Sequence, residues 1–253
     1  MSGFLTGKIV LITGGSRGIG RAIALRLARE TPEHVVITYC TQIEAAREVV
    51  AALESLGVAA SATRVDVARP ELLDALFDEI RARFGRLDVF VSNAARATFR
   101  PVEELSLRGW QRTQDINTRA FLLAGRAAAE LMRERGGRIV ALSSLGGSSV
   151  APDYAALGAA KAAVESLARY MAVEYAPLGI NVNVVCGGLV DTESVQSHPE
   201  YEALRAKVIA RTPAGRLGRP EDIAGAVAML CGPDSEWIRG QTIVVDGGFS
   251  ISY

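Results

Sequence analysis

A single doubly wound, parallel α/β sheet of about seven strands is the fold this chain predicts, on three observations. Short β-rich runs recur seven times with longer helix-period segments between them. Most of these runs are continuously apolar, as strands covered on both faces must be. A glycine-rich turn joins the first run to the first helical segment. The predicted strands are Lys8–Ile12, Val35–Tyr39, Ala59–Val65, Leu87–Ser92, Arg138–Ser143, Ile180–Cys186 and Thr242–Val245. Right-handed crossovers between them place helices on both faces. Helical spacing is clearest in Ile43, Ala46, Val49, Leu53 and Leu56, and again in Leu72, Leu76, Ile80 and Phe84. Each set is expected to lay one face on the sheet.

Bulk properties fit that plan. The 253 residues suit one large domain, 1–253, and 49% hydrophobic against 22% charged residues is ample for a core covered on both faces. Formal charge is zero and Lys and Arg are scattered, which argues against nucleic acid or an anionic membrane surface and for a small-molecule partner. Cys40, Cys186 and Cys231 are far apart, and with only His34 and His198 beside them they make no metal-ligand pattern, so no metal is expected. They read as reduced, partly buried thiols. Neither histidine is given a catalytic part. Met1 to Lys8 lacks an apolar signal core, and no run approaches the ~20 apolar residues that span a bilayer. The expectation is a soluble, cytoplasmic protein. The longest stretch outside the strand-and-helix rhythm, about 189–217, carries Pro199 and Pro213 and reads as an excursion covering the substrate. Within it Glu193, Ser194, Gln196 and Tyr201 either line the substrate entrance or form a solvated surface. Trp110 and Trp237 read as packing or subunit-contact residues.

The stretch Thr13-Gly14-Gly15-Ser16-Arg17-Gly18-Ile19-Gly20 follows the apolar Ile9-Val10-Leu11-Ile12 and opens a helical segment. Glycines there allow positive φ and close backbone approach, and free N–H groups at the helix start favour an anionic pyrophosphate. A nucleotide cofactor is the first expectation; a tight turn that packs helix on sheet without a ligand is the alternative. Ligands of such sheets sit beyond the carboxyl ends of the strands, so Thr13, Asp66, Asn93, Ser143, Ser144 and Thr192 are candidate site residues.

Taken together, the glycine turn, Asp66-Val67, Asn93-Ala94-Ala95, Asn117, Ser143-Ser144, Tyr154 with Lys161, Gly187 to Thr192 and the closing Arg239 to Gly248 resemble the short-chain dehydrogenase/reductase family over nearly the whole chain. The resemblance implies a single-domain Rossmann-type fold and a homo-oligomer, tetramer or dimer. It implies that Gly14, Ser16, Arg17, Gly18, Ile19 and Gly20 hold the cofactor's phosphates and adenosine, and that Asp66 and Val67 meet the adenine edge. Asn93 and Ala94 would border the ribose, and Gly188, Val190 and Thr192 the nicotinamide end. Two positions depart from the family pattern: Ser92 stands where a second Asn is usual, and Gly187 where a Pro is usual. At the end of the second strand, Thr38-Tyr39-Cys40-Thr41 offers no carboxylate for a ribose 2′-hydroxyl, whereas Arg17 and Thr41 could hold a 2′-phosphate. NADPH is therefore favoured over NADH.

Most of that family pairs Tyr and Lys four residues apart on one helix. Here that position is Leu157, and the nearest tyrosine, Tyr154, lies seven residues before Lys161. Positions i and i+7 share a helix face but are ~10 Å apart along the axis, against ~6 Å for i and i+4. The phenol must approach from elsewhere. Reducing a carbonyl puts charge on the oxygen beside the carbon that takes hydride; reducing a 2-enoyl thioester puts it on an oxygen two carbons farther off. A donor must meet charge where it develops.

The Tyr-x6-Lys spacing is similar to the enoyl-acyl-carrier-protein reductase branch of the family, and Leu157 to Ala163, Arg211 to Arg216 and Trp237 to Gln241 resemble one bacterial NADPH-using subgroup of it. The resemblance implies that Tyr154 donates to an enolate oxygen, and that Lys161 holds the nicotinamide ribose and lowers the tyrosine's pKa. Ser144 either acts with the substrate or only caps the strand end, and Asn117 would anchor a water or a helix carbonyl near Lys161. The substrate implied is an acyl thioester on acyl carrier protein or coenzyme A. Gly146 to Asp153 holds none of the further tyrosines usual in that branch, which points to an acyl group unlike an ordinary fatty chain. A β-ketoacyl or other carbonyl reductase is the alternative; a non-catalytic nucleotide-binding protein is a third reading.

Overall fold

All seven β-rich runs become strands in a computed structural model, which describes residues 3–196 and 201–252. The strands are β1 (Ile9–Ile12), β2 (His34–Tyr39), β3 (Ala59–Arg64), β4 (Val89–Ser92), β5 (Gly137–Ser144), β6 (Ile180–Gly187) and β7 (Thr242–Val245). The helices are α1 (Gly18–Ala28), α2 (Ile43–Ser55), α3 (Pro70–Phe84), α4 (Leu107–Gln114), α5 (Ala120–Met132), α6 (Ala155–Glu174), α7 (Glu193–Gln196), α8 (Tyr201–Arg211) and α9 (Pro220–Cys231). The sheet runs β3-β2-β1-β4-β5-β6-β7, with every pair parallel. The chain winds outward from β1 through β2 to β3, then returns to the other side of β1 with β4. The crevice beyond the carboxyl ends of β1 and β4 is where such a sheet takes a ligand.

Alternation along the strands divides the core in two. Ile9, Leu11, Phe90, Ile139 and Val182 join one buried layer; Val10, Ile12, Val91, Val140 and Val185 join the other. Helices α3, α5 and α6 close the first layer, while α1, α2 and α9 close the second. Small residues let the long α6 approach its neighbours: Ala156, Ala160, Val164, Ala168 and Ala172 form a buried stripe four residues apart. Helix α3 starts on Pro70, whose missing N–H costs nothing there, and stops at Gly85, with φ of +67° and its N–H on the Arg81 carbonyl. Phe90 is fully buried and meets Phe77 edge-on at 6.1 Å. Phe90→Ala is expected to cost about 3–5 kcal/mol, read as a lower urea midpoint at unchanged slope.

Two expectations need correction, and a third is narrowed. Ile43 and Leu56, assigned to the buried face of α2, are 43% and 51% exposed, because one is the first residue of the helix and the other lies just past its last. Trp237 stands in solvent, which leaves subunit contact rather than packing of the two readings given for it. Of the thiols, Cys40 is exposed, whereas Cys186 and Cys231 are buried. His34 is a packing residue: its ring bonds the Ser61 hydroxyl at 2.9 Å, and burial, with Arg83 nearby, lowers its pKa to about 4 against the opposing pull of Glu33. His198 lies outside the described residues. No helix among the described residues is long and apolar enough to cross a membrane, and no cluster of His, Cys, Asp or Glu among them could hold a metal.

Candidate active site

The glycine turn is held by its neighbours rather than by itself. The Thr38 hydroxyl at the end of β2 accepts from the Gly14 N–H at 3.1 Å, and the Thr38 carbonyl accepts from Gly15. From β4, the Asn93 amide donates to the carbonyls of Thr13 (3.0 Å) and Gly14 (2.9 Å). Gly20 is required by contact: a Cβ there would collide with the Gly14 carbonyl and fall 2.6 Å from the Asn93 amide nitrogen. Gly18 is required by conformation, with φ of +51°. Helix α1 then begins at Gly18 without a side-chain cap and without a carboxylate in its first turn, which leaves its leading N–H groups to an external anion.

This turn opens onto a cleft of about 360 Å³. Gly14, Ser16, Arg17, Gly18, Ile19, Gly20, Thr41, Asp66, Val67, Asn93, Ala94 and Thr192 all line it, as the sequence led us to expect. Asp66 is already engaged by the Ala68 N–H at 3.1 Å and by Arg112 at 3.6 Å. Arg96 and Arg112 line the cleft too and were not foreseen, since nothing in their spacing sets them apart from other surface arginines. Gly188 and Val190 do not line it. Val190 is buried in the second core layer and bridged to Gly218, and Gly188 borders a separate cavity of about 220 Å³. The bridge pinches the base of the excursion, which carries α7 and α8. Within it Asp191 accepts from Gln196 and Tyr201, each at 2.9 Å.

A second cluster gathers at the end of β5, apart from the cleft lining. Tyr154 occupies the N-cap position of α6, outside the helix proper, and its hydroxyl donates to Ser144 Oγ at 3.1 Å. Its ring lies beside Phe99, centroids 5.6 Å apart. Lys161, only 7% exposed, donates from Nζ to the Leu142 carbonyl at 2.9 Å. Ser143 donates to Glu165. Asn117 sits in a single π turn, Asp115–Arg119, and gives both amide protons away, to the carbonyls of Arg96 and Thr113, each at 2.9 Å. Its Oδ1 is buried without a partner. The amide thus holds a helix carbonyl, that of Thr113 in α4, and also braces the loop after β4.

Residues 13–250 match the family described as "Enoyl-(Acyl carrier protein) reductase". The chain is 46% identical to a 1-cyclohexenylcarbonyl-CoA reductase of Streptomyces collinus, over 96% of this chain and 87% of that one. A 3beta-hydroxysteroid dehydrogenase of Eggerthella lenta is 38% identical, over 98% and 95%. A doubly substituted short-chain dehydrogenase/reductase of Serratia marcescens superposes with a TM-score of 0.92 at 36% identity, over 98% and 99%. The chain belongs to the short-chain dehydrogenase/reductase family. It is an oxidoreductase, and the family binds nicotinamide cofactors. One of these relatives is named for a CoA thioester and another for a hydroxysteroid, so the substrate has to be argued from the site itself.

Burial sets the charges in this short-chain dehydrogenase/reductase. It pushes the Tyr154 phenol above its usual value; the hydrogen bond to Ser144 pulls the other way, and Cys186 adds to the rise. Burial brings Lys161 down to about 8, against the opposing influence of Cys186 and Glu165. The Cys186 thiol is lifted to about 12 by burial first, then by Glu165 and Asp246, with Lys161 opposing. This corrects the expectation that Lys161 lowers the pKa of Tyr154. Desolvation leads, the opposing pull comes from Ser144 and not from the cation, and the phenol keeps its proton at neutral pH. Such a group is a hydrogen-bond and proton donor, not a base.

Proposed function

We propose that the protein is an NADPH-dependent 2-enoyl thioester reductase. The reading rests on one observation: a protonated phenol held outside α6 at Tyr154, seven residues before Lys161, with its hydroxyl on Ser144. The cleft suits a dinucleotide, because the uncapped start of α1 offers N–H groups to a pyrophosphate and its arginines add positive charge. Gly14, Ser16, Gly18, Ile19 and Gly20 would hold the phosphates, Val67 and Asp66 the adenine, Asn93 and Ala94 the ribose, and Thr192 the nicotinamide end, with Gly188 and Val190 supporting that end from behind. When bound, the cofactor supplies the hydride.

As the β-carbon of the substrate gains hydride, negative charge grows on the thioester oxygen. Tyr154 turns its one proton from Ser144 to that oxygen as a hydrogen bond, Ser144 then donates to the phenol oxygen and orients it, and a proton taken from solvent at the α-carbon completes the saturated thioester. Lys161 would turn its buried charge to the ribose hydroxyls, and Asn117 would keep the adjoining loop in place. We further infer that the thioester is carried by coenzyme A or acyl carrier protein, and that the excursion at 189–217 covers it. The working form would be a cytoplasmic homo-oligomer, tetramer or dimer.

A β-ketoacyl or other carbonyl reductase is the second reading, favoured by the Ser144–Tyr154 hydrogen bond, which would serve an alkoxide equally well. Crotonyl-CoA and acetoacetyl-CoA, each supplied with NADPH, separate the two. Loss of NADPH absorbance with crotonyl-CoA is the expected result; loss with acetoacetyl-CoA alone overturns the enoyl reading.

The preference for the phosphorylated cofactor has its own test. Arg17 is exposed at the cleft, Thr41 lines it too, and β2 ends without a carboxylate. Arg17→Ala should weaken NADPH binding about 10- to 100-fold, the worth of one charge-assisted contact, and leave NADH binding unchanged. Equal losses for both in a fluorescence titration would remove Arg17 from the choice.

A further inference from the structure

We propose that Gly146 is a positioning residue for Tyr154: the space left by its missing side chain is the slot in which the phenol ring lies. This deepens the reading above, in which Tyr154 meets the oxygen that takes up charge. The geometry is specific. A Cβ on Gly146 would fall 2.5 Å from Cε1 of Tyr154 and closer still to Cδ1, and the third nearest atom is Cγ of the same ring. The glycine is not there for its backbone, since its φ is not among the positive ones. It is there for the ring.

The short turn Leu145–Gly147 that carries Gly146 follows directly on Ser144, and it touches the first turn of α6 backbone to backbone. A Cβ on Gly158 would come within 2.5 Å of the Gly146 carbonyl oxygen. Those two absent side chains draw the turn and the helix start together, with the Tyr154 ring between Gly146 and Phe99 and its hydroxyl on Ser144. A tyrosine outside the helix needs such a slot. Buried Leu157 occupies the place on the helix itself. The position of the phenol oxygen, and with it the substrate atom whose charge it can meet, is set by how deep the ring sits against Gly146.

The test is a double-mutant cycle on kcat, run with whichever of crotonyl-CoA and acetoacetyl-CoA the parent reduces, so that it stays readable if the enoyl reading fails. Gly146→Ala should lower kcat about 100-fold, the scale of an ångström's misplacement, with NADPH affinity within about twofold of the parent, since neither residue lines the cleft. In a Tyr154→Phe background, where no hydroxyl remains to misplace, the same substitution should change kcat less than about twofold. Parental turnover in Gly146→Ala, or an equal fall in both backgrounds, overturns the proposal. Should Gly146→Ala fail to fold, Gly146→Ala with Tyr154→Ala should recover a cooperative thermal transition, because the methyl then meets no ring; continued failure to fold also overturns it.

Discussion

Tyr154→Phe is expected to lower kcat about 100- to 1000-fold, the usual cost of one donor aimed at developing charge, while NADPH affinity stays within about twofold. The two readouts separate because the two sites do. Tyr154 is at the N-cap of α6 and absent from the cleft lining, so removing its hydroxyl touches nothing that would grip a dinucleotide. The ring remains, and it keeps its contact with Phe99 and its seat on Gly146. Ser144 loses one partner but is only half-buried and can turn to water, so stability should change by no more than about 1 kcal/mol. Steady-state kinetics with a fluorescence titration of NADPH checks both halves. A variant as fast as the parent would take the phenol out of the mechanism.

Lys161→Met should abolish turnover, by about 1000-fold or more if it both holds cofactor and supports the phenol, and yet yield a more stable protein. The argument is one of burial. Taking Lys161 out of water moves its pKa from 10.5 to about 8, a shift that at 1.36 kcal/mol per unit represents about 3 kcal/mol of cost to holding the charge. Methionine fills the same space without the charge. The Leu142 carbonyl then loses its donor, which returns about 1 kcal/mol, so a net gain of about 2 kcal/mol and a rise of a few degrees in Tm are expected at pH 7.

The pH dependence follows from the direction of the shift. Between about 8 and 10.5 the unfolded chain binds the lysine proton and the folded chain does not, so parental stability rises with pH through that window relative to the variant. The Tm gap is therefore full below pH 8 and narrows above it. Parental kcat should fall over the start of the same interval as Lys161 loses its charge. A variant no more stable than the parent at pH 7 would show that Lys161 is better solvated than its surroundings imply.

Periodicity made the sheet legible before any coordinates, because parallel strands buried on both faces can scarcely be written otherwise than as Val- and Ile-rich runs. The lining of the cleft was readable for a related reason. Gly14, Gly18 and Gly20 mark a backbone geometry that few other residues tolerate, and local spacing records it. What stayed hidden depends on residues meeting across the fold. Gly146 gave no sign of accommodating the ring of Tyr154, although a Gly-Gly pair one residue after Ser143-Ser144 was a usable hint. Tyr154 was legible as a donor, but the direction of its pKa shift was not, because proximity in sequence suggests a cation's help, whereas burial decides the sign. Asn117 was legible as a polar residue holding a helix carbonyl and not as a brace of the loop after β4, since the loop carbonyl it also holds, that of Arg96, lies 21 residues away in a stretch that sequence patterns do not specify.

The bridge between Val190 and Gly218 has a wider implication. With its two ends fastened side by side, the intervening segment is uncoupled from strand register, and up to Arg211, where hydrogen bonds to Gly247 and Ser252 tie it a second time, changes of length cost little beyond loop-closure entropy. Insertions, deletions or transplanted pieces between Val190 and Arg211 can be tried as a replaceable cassette and, on the proposal that this segment covers the substrate, would retune the range of molecules accepted without the scaffold having to solve its folding problem again.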